Sequence, residues 1–300
     1  MNTIPAALRR TPSLIALIAA AQLAVMALAG TASASTFGPE HGASPNADRI
    51  ASLYWVIFAI ALVVWVIVMA SLLYSTFKFK ARRGAVAAQI RGNTRLEIGW
   101  TVGAAIILVA LAVVTFVKLP GIRTPDNSGP NGIKLGDGTL LAGSPQKAMP
   151  PDGKSLNICV NGQQYVWRFT YQNDCTRNNF QSVFAYETMV VPTDTTITLD
   201  VTGQDVIHSW WIPKLGGKFD AVPGYVNHTW FKIPGRLAGQ SFHGQCAELC
   251  GRNHADMVAD VKALTPSDYE AWMSKQKQLI SQADAAAEQQ RQKYEPQTNP

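Results

Sequence analysis

Two uncharged apolar runs constrain this chain more than any other feature. Leu53 to Phe77 and Ile98 to Val117 contain no Asp, Glu, Lys or Arg, and each reaches the ~20 residues that a bilayer-spanning helix needs. Tyr54 and Trp55 lie at the start of the first run and Trp100 near the start of the second, where aromatic rings favour the headgroup level. The loop between the runs carries Lys78, Lys80, Arg82, Arg83, Arg91 and Arg95, opposed only by Glu97. A loop of that charge stays cytoplasmic, so both flanks of the hairpin lie outside. The expectation is a transmembrane hairpin within residues 35–120, with helices over about 53–77 and 98–118.

The first 34 residues agree with that topology. Arg9 and Arg10 precede an apolar core from Leu14 to Leu28, and Ala32-Ser33-Ala34 supplies small residues for cleavage. This is the pattern of a secretory signal over 1–34, cleaved after Ala34, with a retained first membrane helix as the alternative. No cysteine lies nearby, which argues against a lipoprotein anchor.

Beyond Pro120 the composition changes. Residues 121–153 are rich in Gly, Pro, Asn, Asp and Ser and read as a linker or irregular insertion. From Lys154 to Thr265 the chain alternates short segments rich in Val, Ile, Thr and aromatics with turn residues. These are Leu156 to Tyr171, Thr188 to Val191, Thr195 to Val201, Val226 to Ile233 and Met257 to Leu264. Such spacing predicts an all-β sandwich or barrel over 154–265. Pro266-Ser267-Asp268 starts a helix through about Gln278, with Ser267 or Asp268 as its N-cap. The Ala-, Gln- and Glu-rich tail from Ser281 reads as frayed or disordered.

The chemistry concentrates between His243 and Met257, where Cys246, Cys250, His254 and Met257 follow one another. On a helix the cysteines and His254 would form a stripe of ordinary core. Gly244 and Gly251 bracket the cysteines and argue for a loop instead. A disulfide between the two cysteines is a second option for an exported domain. Thiols, an imidazole and a thioether together are the donors copper prefers, and His208 upstream extends the set. Zinc has little use for the thioether. His228 and His243 read as surface or neighbouring residues rather than ligands. Of the +6 net charge, much sits in the one loop, so the basic stripe with interleaved aromatics that a nucleic-acid partner requires is missing. No Cys-x-x-Cys-His occurs to attach a c-type haem.

From Leu53 to about Met273 the chain resembles subunit II of the haem-copper cytochrome c oxidases. The resemblance rests on four blocks. They are Cys246-Ala-Glu-Leu-Cys250-Gly-Arg-Asn-His254-Ala-Asp-Met257, His208-Ser-Trp-Trp-Ile-Pro-Lys-Leu-Gly-Gly-Lys-Phe-Asp220, Tyr165-Val-Trp167-Arg-Phe-Thr-Tyr171 and Glu97-Ile-Gly-Trp100-Thr101. It implies a cupredoxin-like β-domain holding a binuclear copper centre of the CuA type. Cys246 and Cys250 would bridge both coppers, with His208 and Met257 completing one and His254 and the Glu248 carbonyl the other. The Glu248 side chain would bind magnesium at the contact with subunit I, and Glu97 would stand at the entrance of a proton pathway in that subunit. Trp210, Trp211 and the Lys214 to Gly224 segment would pack near the copper and the partner interface. Cys159 and Cys175, outside the copper motif, read as a disulfide in an oxidising compartment.

The implied function is acceptance of electrons from a cytochrome c, soluble or membrane-anchored, for delivery to haem in subunit I. There oxygen is reduced and protons are pumped; subunit III is a further partner. The implied place is the bacterial plasma membrane, multi-pass, with the N-terminus and copper domain outside. The sequence departs from the family where Trp-x-Trp is usual: Tyr165 stands first and only Trp167 remains, so electrons would enter through these residues. Asp205 matches an acid that faces cytochrome c, while Gln204 replaces another. The rival function is a membrane-tethered copper carrier or chaperone.

Overall fold

The computed structural model describes residues 38–80, 84, 86, 88–123, 125, 155–172, 175 and 182–294. The expected signal segment, nearly all of the 121–153 linker and the end of the tail lie outside them. The elements below belong to one compact unit, His41–Pro300.

Helix α1 spans Pro45–Lys78 and α2 spans Thr94–Arg123. Both outrun the uncharged segments that predict them. Pro45 occupies the first turn of α1 behind an extended Ser44, where its fixed φ suits a helix and its missing N–H costs nothing. At the start of α2, Asn93 Oδ1 accepts the Leu96 N–H at 3.2 Å, and the Glu97 carboxylate accepts the Asn93 N–H at 3.2 Å. Pro120 lies inside α2 one turn from its end, so little of the ladder is lost there. The outer ends are tied to the β-domain. Asn46 Nδ2 donates to the Trp230 carbonyl at 3.0 Å, Trp230 Nε1 donates to the Ile122 carbonyl at 3.1 Å, and the Lys232 N–H donates to Ser44 Oγ at 3.2 Å. Away from those ends both helices present large apolar side chains outward, among them Trp65, Ile67, Phe116 and Val117. A helix apolar all round needs lipid or protein about it.

Ten strands follow: β1 (Ser155–Gln163), β2 (Val166–Thr170), β3 (Phe184–Tyr186), β4 (Thr188–Pro192), β5 (Thr196–Gly203), β6 (His208–Trp210), β7 (Phe219–Ala221), β8 (Asn227–Lys232), β9 (Ser241–Gln245) and β10 (Val258–Leu264). A five-stranded sheet runs β3-β2-β1-β5-β8, a three-stranded one β4-β10-β9, and β6 pairs with β7. Pairing is mostly antiparallel, but β1 lies parallel to β5 and β10 parallel to β4. Alternate residues of the large sheet, Ile158, Val160, Trp167, Phe169, Ile197, Leu199 and Val201, are fully buried. Met189, Val191, Phe242, Ala259, Val261 and Ala263 of the small sheet join them in one core. That is a cupredoxin-like sandwich.

Three expectations change in detail. The run from Leu156 to Tyr171 is a hairpin that turns at Gln164 and Tyr165; the turn carries no Gly, Pro or Asn to mark it. The final helix α3 spans Pro266–Tyr294 without a break, past Gln278 and through most of the tail, because Ala, Gln, Glu, Lys and Arg are strong helix formers even when solvated. Its cap is Thr265 rather than Ser267 or Asp268: Thr265 Oγ1 accepts the Asp268 N–H at 3.2 Å and donates to the Asp268 carboxylate at 2.7 Å.

Candidate metal centre

The donors gather where the ends of β1, β6 and β9 meet the loop leading to β10. His208 opens β6 and is wholly buried. Its approach depends on Gly162 in β1, where a Cβ would stand 3.1 Å from the His208 ring and 3.0 Å from Trp167. Cys246 directly follows β9, and its N–H donates to the Met257 carbonyl at 2.9 Å, pinning both ends of the loop. Between them the chain turns through Gly251, whose φ of +130° suits glycine. A 3-10 turn from His254 to Asp256 returns it to Met257. The helix-stripe reading of Cys246, Cys250 and His254 is therefore replaced by a loop.

The sulfur atoms of Cys246 and Cys250 lie 3.8 Å apart as free thiols, which sets aside a disulfide between them in this structure. His208 Nδ1 is 3.9 Å from the Cys246 sulfur, and the Glu248 carbonyl is 3.3 Å from it. His254 Nδ1 lies 3.5 Å and Met257 Sδ 3.8 Å from the Cys250 sulfur. The ligand atoms of His208, Cys246 and Cys250 fall within 4.8 Å of one another, all buried. Burial first, and the Cys246 thiol next, push the Cys250 thiol up to about 11. A thiol so placed keeps its proton near neutrality until a cation takes the proton's place.

Two residues around the donors carry roles that residue type alone does not announce. Asp205 holds His208 Nε2 at 2.8 Å, leaving Nδ1 for the sulfur side. It also accepts the N–H groups of Gln164 and Val206, each at 2.7 Å. Burial works upward on its carboxyl, but the Gln164 amide, His208 and the Val206 amide outweigh it, and the group lies below the usual carboxylate range. Asp205 is thus turned toward a donor histidine instead of facing only outward. Gln164 Nε2 donates to the Cys250 carbonyl at 2.7 Å. The i, i+3 spacing of Asp205 and His208 is the sequence signal for the first role; the second has none.

The remaining expected residues divide. Trp167 is fully buried with its ring edge toward His208, centroids 5.9 Å apart, and its Nε1 has no partner among the described residues. The Tyr165 hydroxyl accepts the Arg252 N–H at 3.0 Å. The Glu248 side chain is exposed while its carbonyl points inward. Glu97 sits apart, in the first turn of α2. Trp210 is buried against Phe231, ring centroids 6.2 Å apart, while Lys218 lies over the Trp211 ring at 4.7 Å. Cys159 and Cys175 are joined, their Cα atoms 5.6 Å apart. His228 pairs with Asp200 at 2.6 Å and the exposed His243 with Asp260 at 2.8 Å.

Residues 156–264 match the family model for the periplasmic domain of cytochrome c oxidase subunit II, and residues 32–117 match that for its transmembrane domain. Cytochrome c oxidase subunit 2 of Cereibacter sphaeroides is 31% identical over 271 residues, covering 87% of this chain and 86% of that one. The chain belongs to the cytochrome c oxidase subunit II family. The subunit 2 of Alkalihalophilus pseudofirmus is 35% identical over 202 residues, 65% of this chain, and the chain spans about half (49%) of that relative's length. Among solved structures, the periplasmic domain of cytochrome oxidase subunit II from Bradyrhizobium japonicum matches with 31% identity and a TM-score of 0.37, covering 42% of this chain and 95% of that one.

Membership makes this a membrane protein with its β-domain on the outer side, and implies copper of the CuA type. The donor set fits. Donors bound ~2.0–2.3 Å from an ion in tetrahedral array stand ~3.6 Å apart; the contacting donor pairs here lie 3.3 to 3.9 Å apart, and the His208, Cys246 and Cys250 ligand atoms all lie within 4.8 Å of one another. Met257, fully buried, adds a thioether to the set, a soft donor that suits copper and is not among the Cys, His and carboxylate ligands usual for structural zinc.

Proposed function

We propose that this chain is the electron-accepting subunit of a bacterial haem-copper terminal oxidase. The observation that carries the reading is the convergence of four further donors, His208, the Glu248 carbonyl, His254 and Met257, on one buried thiol pair. Cys246 and Cys250 would hold two coppers between them, with His208 and Met257 on one and His254 and the Glu248 carbonyl on the other. Held there, a copper pair would supply one-electron acceptance and release, so that this chain would take electrons from a cytochrome c and deliver them to haem in subunit I, where oxygen reduction is coupled to proton pumping.

The chain's own residues supply the rest. Burial of His208, Cys246, Cys250 and Met257, none more than 4% exposed, keeps water from the donors. Asp205 fixes which His208 nitrogen faces the thiols, as partners behind a ligand commonly do. Strands on either side of the loop hold the donors in place, so little has to move when charge changes. Tyr165 at the rim and Trp167 behind His208 form the aromatic path by which electrons enter. The exposed Glu248 carboxylate binds magnesium at the contact with subunit I, and Glu97 stands at the entrance of that subunit's proton pathway. Subunit III completes the set of partners. The N-terminus lies outside with the copper domain.

A copper carrier is the second reading, and burial speaks against it. A carrier hands its ion on through accessible thiols, whereas Cys246 and Cys250 are 2% and 4% exposed. The test is rapid mixing of ferrocytochrome c with the copper-loaded, full-length chain in detergent. We expect stoichiometric oxidation of the cytochrome within milliseconds to seconds. Copper that leaves for a thiol acceptor peptide, without oxidising the cytochrome, would favour the carrier.

A further inference from the structure

We infer that Gln164 and Tyr165 form a clasp that positions the metal-binding loop, and that the Tyr165 hydroxyl is a positioning group separate from any part its ring plays in electron transfer. The inference rests on the copper reading above and concerns the turn between β1 and β2. That turn reaches both halves of the donor set. On one side the Gln164 N–H donates to Asp205 Oδ2 at 2.7 Å, and Asp205 Oδ1 holds His208 Nε2 at 2.8 Å. On the other side Gln164 Nε2 donates to the Cys250 carbonyl at 2.7 Å, and the Tyr165 hydroxyl accepts the Arg252 N–H at 3.0 Å. Two adjacent residues therefore tie the histidine from β6 to the backbone on either side of Gly251.

Gly251 is the point of closest approach. A Cβ there would stand 2.5 Å from the Tyr165 hydroxyl and 2.9 Å from Gln164 Nε2, at a φ of +130°. Only a bare backbone fits beneath the clasp. The loop from Cys246 to Met257 has no regular strand of its own and leaves Leu249 78% exposed. Apart from the buried Cys250 side chain and the Ala247 N–H, which donates to the Ser209 carbonyl at 2.8 Å, it is held at its two ends and by the short 3-10 turn. The hydroxyl matters because a ring without an acceptor would leave the Arg252 N–H to water. Tyrosine here supplies the acceptor.

The test uses the full-length chain in detergent, with Tyr165→Phe to remove the hydroxyl and keep the ring, and Gln164→Ala to remove the other arm. In the metal-free chain, hydrogen exchange at the Arg252 amide should quicken by ~3–10-fold in Tyr165→Phe, the range that one hydrogen bond supplies. In the copper-loaded chain, both variants should lose copper to a chelator ~3–10-fold faster, with altered copper hyperfine couplings. Both effects together in the double variant should exceed either alone. Unchanged exchange at Arg252 overturns the clasp, and unchanged hyperfine couplings with unchanged copper release overturn its positioning role. Quickened exchange in a chain that binds no copper pair even as wild type would leave the clasp standing and overturn the copper reading instead.

Discussion

Met257 joins the metal site to the fold at a single residue. It is fully buried, a member of the core, and its sulfur lies 3.8 Å from that of Cys250. Met257→Leu keeps the volume, so it should cost less than ~1.5 kcal/mol of stability while deleting a donor. We expect a near-normal unfolding midpoint and a changed copper spectrum; an unchanged spectrum would remove Met257 from the donor set. Gly162 works in the opposite way. A methyl there meets the His208 and Trp167 rings at 3.1 and 3.0 Å, and overpacking of this kind costs roughly 1–3 kcal/mol. Gly162→Ala should therefore lower the denaturant midpoint and disturb the copper site together. At this scale the sequence was legible wherever residue type carries the chemistry, as with the soft donors. It was silent on Gln164, which acts through a backbone carbonyl; for Asp205 the family resemblance implied an outward-facing acid, and the bond to His208 shows only in the fold.

Among the elements, the disulfide and α3 are separable from the metal site. Cys159 and Cys175 close a loop with a sequence separation of 16, for which the chain-entropy argument gives ~3 kcal/mol. Replacing both by Ala should lower stability by about that amount and leave the copper spectrum untouched; a spectral change would mean that the bond steadies the donors. In α3 the burial is uneven. Trp272 packs on Tyr171 at 5.2 Å and stacks with Tyr269 at 6.0 Å, whereas every residue from Ser281 to Tyr294 is exposed. Trp272→Ala should cost roughly 2 kcal/mol, and removal of 281–294 close to nothing, both read by chemical denaturation. The same imbalance explains why the tail reads equally as frayed helix or coil: a solvated helix and a solvated coil share one polar composition. Strands β6 and β7, three residues each, are set by pairing with one another and have no period of their own to detect.

Over the whole molecule, two surfaces of opposite character share one chain. The hairpin is apolar outside, and the β-domain keeps its apolar side chains within. This division was plain from sequence because charge and hydropathy change abruptly at Pro120. What it did not show is how the parts join, since the ties run through backbone carbonyls of Trp230 and Ile122. Such ties hold the β-domain, and the donor loop on it, to the outer ends of the two membrane helices. The account stands or falls on the copper pair. Copper analysis and electron spin resonance of the purified, copper-loaded full-length chain test it directly. Two coppers per chain with a seven-line hyperfine pattern, abolished by Cys250→Ser, is the result predicted; one copper with a four-line pattern, or zinc taken in preference, would contradict it.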